Sequence, residues 1–72
     1  MVYEPIDTVL SLGMKGEQVK TLQYLLNEAG YNLEIDGHFG RSTQTALLEF
    51  QRKSRLEADG RAGPKTVEAL TS

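Results

Sequence analysis

Leu33-Glu-Ile-Asp36-Gly37-His-Phe-Gly40-Arg-Ser-Thr43-Gln-Thr-Ala46-Leu47 returns 23 residues later as Leu56-Glu-Ala-Asp59-Gly60-Arg-Ala-Gly63-Pro-Lys-Thr66-Val-Glu-Ala69-Leu70, with eight of fifteen positions identical. A fainter copy lies upstream, where Gly13-x-x-Gly16-x-x-Val19-x-x-Leu22 matches Gly37-x-x-Gly40-x-x-Thr43-x-x-Ala46. The chain therefore reads as three turn-then-helix units. In each, the first glycine (Gly13, Gly37, Gly60) is expected at positive φ in a tight turn, and Asp36 and Asp59 favour that turn by accepting backbone N–H groups two residues on. The second glycine (Gly16, Gly40, Gly63) falls at a helix N-cap. Pro64 supports that placement, because proline is favoured at the first helical position, where its missing N–H costs nothing.

After the first of these turns, the spacing predicts a helix from Glu17 to Ala29, with Val19, Leu22, Leu25, Leu26 and Ala29 on one apolar face and Gly30 as its stop. A second helix is expected from Arg41 to Ser54, burying Ala46, Leu47 and Phe50 with Thr43 at the edge. A short third runs from Pro64 to Leu70, burying Val67 and Leu70. Residues 10–72 thus form one all-α domain, a closed three-helix bundle built from turn-helix repeats. Residues 1–9 are an N-terminal extension or short helix, whose Ile6 and Val9, with Leu10, are candidates to pack back across the bundle.

The whole chain has 72 residues, no cysteine, one histidine and a formal net charge of −2. A domain below about 70–80 residues normally leans on disulfides, a metal or unusually good packing. Here turn chemistry and packing must carry it. Ten acidic against eight basic residues leave no positive excess for phosphates, so nucleic acid is not an expected partner. No apolar run approaches the roughly 20 residues that span a bilayer, so no membrane association is expected. The amino terminus has neither the basic start nor the apolar stretch of a signal peptide.

The ordered elements Leu12-Gly-x-x-Gly-x-x-Val-x-x-Leu-Gln23, Gly30-Tyr31, Asp36-Gly-His-Phe-Gly-x-x-Thr-x-x-Ala46, Phe50-Gln51 and Leu56-x-x-Asp-Gly-x-x-Gly-Pro-x-Thr66-x-x-x-Leu70 resemble the peptidoglycan-binding domain family. That family is the small three-helix module appended to bacterial and phage cell-wall hydrolases. The resemblance implies a closed three-helix bundle and non-catalytic attachment to peptidoglycan. Two departures stand out. Arg55 occupies a position that is often glycine in the family, so the second helix must end without its usual glycine. Ala62 stands where the preceding turn has Phe39, so the third turn should be less filled.

Catalysis is a poor fit to these residues. Glycan hydrolysis usually needs two carboxyl groups, one with a raised pKa, whereas Asp36 and Asp59 sit before glycine, where backbone N–H groups lower it. A lone His38 without cysteine cannot build a zinc site, no cofactor is implied, and the Asp-Gly loops lack the alternating oxygen ligands that calcium needs. A helix-turn-helix DNA reader using Arg41, Gln44, Gln51, Arg52 and Lys53 is disfavoured by the net charge.

Peptidoglycan offers amino sugars and short peptides with carboxylates and amides, to be met by polar side chains, an aromatic face and modest positive charge. The candidate ligand-binding residues are His38, Arg41, Arg61, Tyr31 and Gln44, with the two Asp-Gly turns flanking one groove. Against this, Tyr31 is expected to lay its ring on the bundle with its hydroxyl outside, Phe39 to plug the core, and Gln23 and Gln51 to tie their amides to loop backbone. The expected function is wall binding that tethers a linked endolysin, amidase or peptidase domain, with the domain a monomer at the cell wall, in the periplasm or outside the cell, or made in the cytoplasm if phage-encoded. The alternative is a protein-interaction or structural three-helix module that touches no glycan.

Overall fold

The computed structural model describes residues 4–72. Three helices follow one another: α1 (Glu17–Glu28), α2 (Arg41–Lys53) and α3 (Pro64–Thr71), with α1 packed against both others. Among the described residues there is no strand, and two isolated backbone bridges join the turns. The fold is the all-α three-helix module that the repeat implies. Each helix is preceded by its second glycine as N-cap, and Pro64 opens α3. The first glycines have φ of +96° (Gly13), +78° (Gly37) and +75° (Gly60). At Gly37 glycine is required twice over, since a Cβ there would also lie 3.2 Å from the carbonyl oxygen of Gly16.

The turns are stitched to one another by backbone. Gly13 N–H donates to Phe39 O and Phe39 N–H to Met14 O, both at 2.9 Å, so the first turn lies antiparallel to the second. Leu10 and Ala62 exchange both of their bonds, at 3.2 and 2.8 Å. Leu10 is buried through that pairing, in one cluster with Val19, Leu22, Leu26, Phe39, Ala46, Leu47 and Ala62. The third turn, which has only Ala62 of its own, is thereby backed by a leucine from the N-terminal segment. Phe39 plugs the core as expected.

Several expectations need correction. Ala29 is exposed and is the C-cap of α1: the helix ends one residue early, and Ala29 leaves the apolar face. Thr43 is buried rather than marginal, and Val67 and Leu70 are only half-buried on the short α3. Residues 4–9 form no helix. They lie along α1, where Asp7 N–H donates to Gln18 Oε1 (3.1 Å), Gln18 Nε2 returns a bond to Asp7 Oδ1 (2.7 Å) and Thr21 Oγ1 donates to Glu4 O. Ile6 packs on the core and Val9 is exposed. The rest of the 1–9 extension, residues 1–3, lies outside the described residues.

The helix C-termini explain how Arg55 is accommodated. At α1, Gly30 N–H donates to Asn27 O and Tyr31 N–H to Leu26 O; at α2, Arg55 N–H donates to Arg52 O and Leu56 N–H to Gln51 O. Both pairs follow the Schellman pattern, which places the residue after the cap in a left-handed conformation. Gly30 does so at φ +109° and Arg55 at +60°, the latter the one non-glycine residue with positive φ among those described.

Candidate functional site

Two buried glutamines set the turns. Gln23 Nε2 donates to Asp36 Oδ1 (3.0 Å), His38 O (3.0 Å) and Thr43 Oγ1 (3.1 Å), and its Oε1 accepts from Gly37 N–H (3.0 Å). Gln51 repeats the set on Asp59 (3.2 Å), Arg61 O (2.8 Å), Thr66 (3.2 Å) and Gly60 N–H (3.1 Å). Two amide hydrogens serve three acceptors in each case, so one is shared. Both glutamines are essentially without exposure, and their bonds satisfy loop groups that would otherwise be buried unpaired. The sequence reading of these amides as loop ties is what the structure shows.

The same networks settle what the aspartates do. His38 N–H donates to Asp36 Oδ1 and Arg61 N–H to Asp59 Oδ1, each at 2.9 Å. The backbone N–H of His38, with the Gln23 amide behind it, holds the Asp36 carboxyl below its ordinary value. The Arg61 N–H does the same for Asp59, assisted by Gln51 and opposed by partial burial. A glycosidase acid requires the opposite shift. These carboxylates are turn acceptors.

Above the first network lies a depression of about 260 Å³, lined by Asn32, Leu33, Glu34, Asp36, His38, Gly40, Arg41, Ser42 and Thr43 with Gln23 at its base. A second depression, about 410 Å³, shares Asn32, Leu33, Arg41 and Ser42 with it and adds Tyr31, Thr45, Ala46 and Glu49. The two adjoin at those shared residues and together make a grooved face along the start of α2. Its far wall is a loop gripped from α1: Asn27 Nδ2 donates to Leu33 O (2.9 Å) and Asn27 Oδ1 accepts from Leu33 N–H (2.6 Å).

Of the candidate ligand residues, His38, Arg41 and Tyr31 are brought to this groove, with Arg41 at the junction of its halves. Arg61 is not. It lines a separate depression of about 560 Å³ with Arg55, Glu57, Pro64 and Lys65, so the two turns face different depressions instead of flanking one groove. Gln44 lines neither depression; its amide and aliphatic stem lie under the third turn, where a Cβ on Gly60 would come 3.4 Å from Nε2 and 3.5 Å from Cγ. Tyr31 also departs from expectation. Its hydroxyl is buried without a hydrogen-bond partner, and the Lys53 ammonium sits 5.8 Å from its ring centroid. The depressions also take in Asn32, Glu34, Ser42, Thr45 and Glu49, which the sequence does not single out, because only the path of the 31–35 loop brings that wall opposite α2.

The structure is thus an all-α module of turn-helix repeats with depressions over its turns and with both turn carboxylates committed to backbone N–H groups. Residues 15–70 match the family model described as "Putative peptidoglycan binding domain", and the chain belongs to the peptidoglycan-binding domain family. By that membership it is a binding module and not itself a hydrolase. It is similar to N-acetylmuramoyl-L-alanine amidase CwlM of Mycobacterium tuberculosis, 46% identical over an alignment of 56 residues, with 76% of this chain and 14% of that protein covered. Among solved structures, it resembles the Burkholderia AP3 phage endolysin with a TM-score of 0.89 at 42% identity, covering 92% of this chain and 25% of that one. The SleB N-terminal domain gives a TM-score of 0.87 at 39% identity, covering 97% and 94%. The chain spans between 14% and 25% of the length of the curated relatives it matches.

Proposed function

We propose that this domain binds peptidoglycan along the groove between the 31–35 loop and α2, and so holds a linked cell-wall hydrolase of endolysin, amidase or peptidase type on its polymeric substrate. The observation that supports this reading is the adjacency of the two depressions, with His38 lining the one at the turn, Tyr31 lining the other, and Arg41 shared by both. Arg41 offers a planar fork for a stem-peptide carboxylate. Asn32, Ser42 and Thr45 supply amide and hydroxyl partners for sugar hydroxyls and acetamido groups. Tethering turns each later encounter of the hydrolase with its substrate into an intramolecular one. The domain acts as a monomer at the wall, in the periplasm or outside the cell, within a larger protein.

Sedimentation with purified, insoluble sacculi tests this. The parent domain is expected in the pellet, and His38→Ala/Arg41→Ala is expected to weaken retention about tenfold, the loss of about 1.4 kcal/mol. A parent that stays in the supernatant overturns the wall-binding reading. Unchanged retention of the double variant removes this groove as the site.

A further inference from the structure

We propose that the domain carries a second ligand site, in the depression at Arg55, Arg61 and Lys65, and that this site takes an anionic oxygen group, a carboxylate or a phosphate, of the wall polymer. The proposal rests on the peptidoglycan-binding reading and adds a second point of attachment to it. All nine residues lining this depression are the 23-residue images of residues lining the first depression, and the tenth there, Gln23, has Gln51 as its counterpart beneath the third turn. The two are one construction made twice.

What differs is the chemistry. Asn32, His38 and Ser42 of the first become Arg55, Arg61 and Lys65 of the second, while Arg41 becomes Pro64. Each depression keeps one glutamate and one aspartate, so the fixed cations rise from one to three against an unchanged pair of carboxylates. Asp59 is already committed to Arg61 N–H and the Gln51 amide. The ion pairs among the described residues are Lys20–Glu17 and Lys53–Glu49, so none of these three cations forms one, although the Arg61 charge acts on the Asp59 carboxylate beside it. Three exposed cations around one hollow repel each other, and an anion between them relieves that repulsion.

Two further features point the same way. Gly63 caps α3 without any side-chain hydrogen bond, and Gly63, Lys65 and Thr66 line the hollow, so the positive end of that helix adds to the field. Arg55 holds a left-handed conformation that glycine adopts without cost, so its guanidinium is presented here at the expense of backbone comfort. None of the nine residues lining this depression is aromatic, so it offers an anionic group its cations but a sugar ring no stacking face.

The ¹⁵N-labelled 72-residue domain would be titrated with N-acetyl-D-alanyl-D-alanine, with its C-terminal amide, and with glycerol phosphate, following the backbone amides of Arg61, Lys65 and Thr66. The carboxylate peptide or glycerol phosphate is expected to shift those signals in a salt-sensitive way, and the uncharged amide is not. A response to the peptide assigns a stem-peptide carboxylate, and a response to the phosphate alone assigns a phosphate-bearing wall polymer. Arg61→Gln/Lys65→Gln should weaken the response at least tenfold. Arg55→Gly should weaken it about threefold while leaving the fold intact, which separates lost charge from lost structure. No response from either anion, or an equal response in the double variant, overturns the second site. Because the probes are soluble and small, that failure is distinct from a parent that fails to sediment with sacculi.

Discussion

Arg55→Gly should make the protein more stable, against the general rule that substitutions destabilise. Arg55 is the residue after the α2 cap, at φ +60°, with both Schellman bonds formed around it, Arg55 N–H to Arg52 O at 3.1 Å and Leu56 N–H to Gln51 O at 2.8 Å. A left-handed residue with a Cβ costs about 1–2 kcal/mol, which glycine avoids. Glycine loses more chain entropy on folding, about 0.5–1 kcal/mol. The net gain is therefore about 0.5–1 kcal/mol, or about 2–8 °C in the thermal midpoint of a domain this small. Arg55 is exposed, so no packing is lost. Removing its charge from the helix C-terminus gives back a few tenths of this, and Arg55→Ala measures that part, because alanine keeps the Cβ and loses the guanidinium. Thermal unfolding followed by far-ultraviolet circular dichroism should thus rank Arg55→Gly above Arg55→Ala by about 0.5–1 kcal/mol. Equal midpoints for the two variants, or a glycine variant below alanine, would refute the strain argument.

Gln51→Met keeps the volume of a fully buried side chain and deletes its four hydrogen bonds, leaving Gly60 N–H and Arg61 C=O unpaired; at about 1–3 kcal/mol per buried group the expected loss is about 3 kcal/mol. That is a large share of the roughly 4–11 kcal/mol expected for 72 residues, so a urea midpoint displaced by less than the equivalent of about 1 kcal/mol would contradict the network's role. Acid should also unfold the protein through its turns. The folded carboxyls of Asp36 and Asp59 lie below their ordinary value, so their stabilisation is complete above the unfolded pKa of about 3.9 and is lost as pH falls through the folded values. Urea midpoints measured from pH 7 to pH 2 should be steady above pH 5 and decline below pH 4, and Asp36→Asn/Asp59→Asn should flatten the decline; an unchanged slope in that variant would assign it to other carboxylates.

The fold was legible because glycine has few reasons to recur at fixed spacing. Gly13, Gly37 and Gly60 needed positive φ, Gly16, Gly40 and Gly63 fell at N-caps, and the helix starts followed from them. Helix ends were less legible: Ala29 looked like a core position because it kept the apolar spacing, but the cap had already turned it outward. Tyr31 shows the limit more sharply. Its sequence context says only that it follows a helix stop, and whether the hydroxyl reaches water depends on what α2 places opposite.

The site was partly hidden by the repeat itself. The turns repeat at 23 residues, whereas Gln23 and Gln51 lie 28 apart; Gln23 reaches 13 residues to its aspartate and Gln51 only 8. Alignment on the turns therefore does not align the glutamines that hold them. The five-residue difference divides unequally. Gln23 lies six positions before its cap, Ala29, and Gln51 three before Ser54, so α1 runs nearly one more turn beyond its glutamine, and the loop after it is two residues longer. That extra turn carries Asn27, whose amide grips Leu33 at both backbone groups, and it sets the loop with Tyr31 and Asn32 facing the start of α2. The aromatic half of the groove is thus a product of where the repeat is broken, and the polar half a product of where it is kept. On this account two ligand preferences arise from one duplicated turn, extended by a helical turn in one copy and recharged with Arg55, Arg61 and Lys65 in the other.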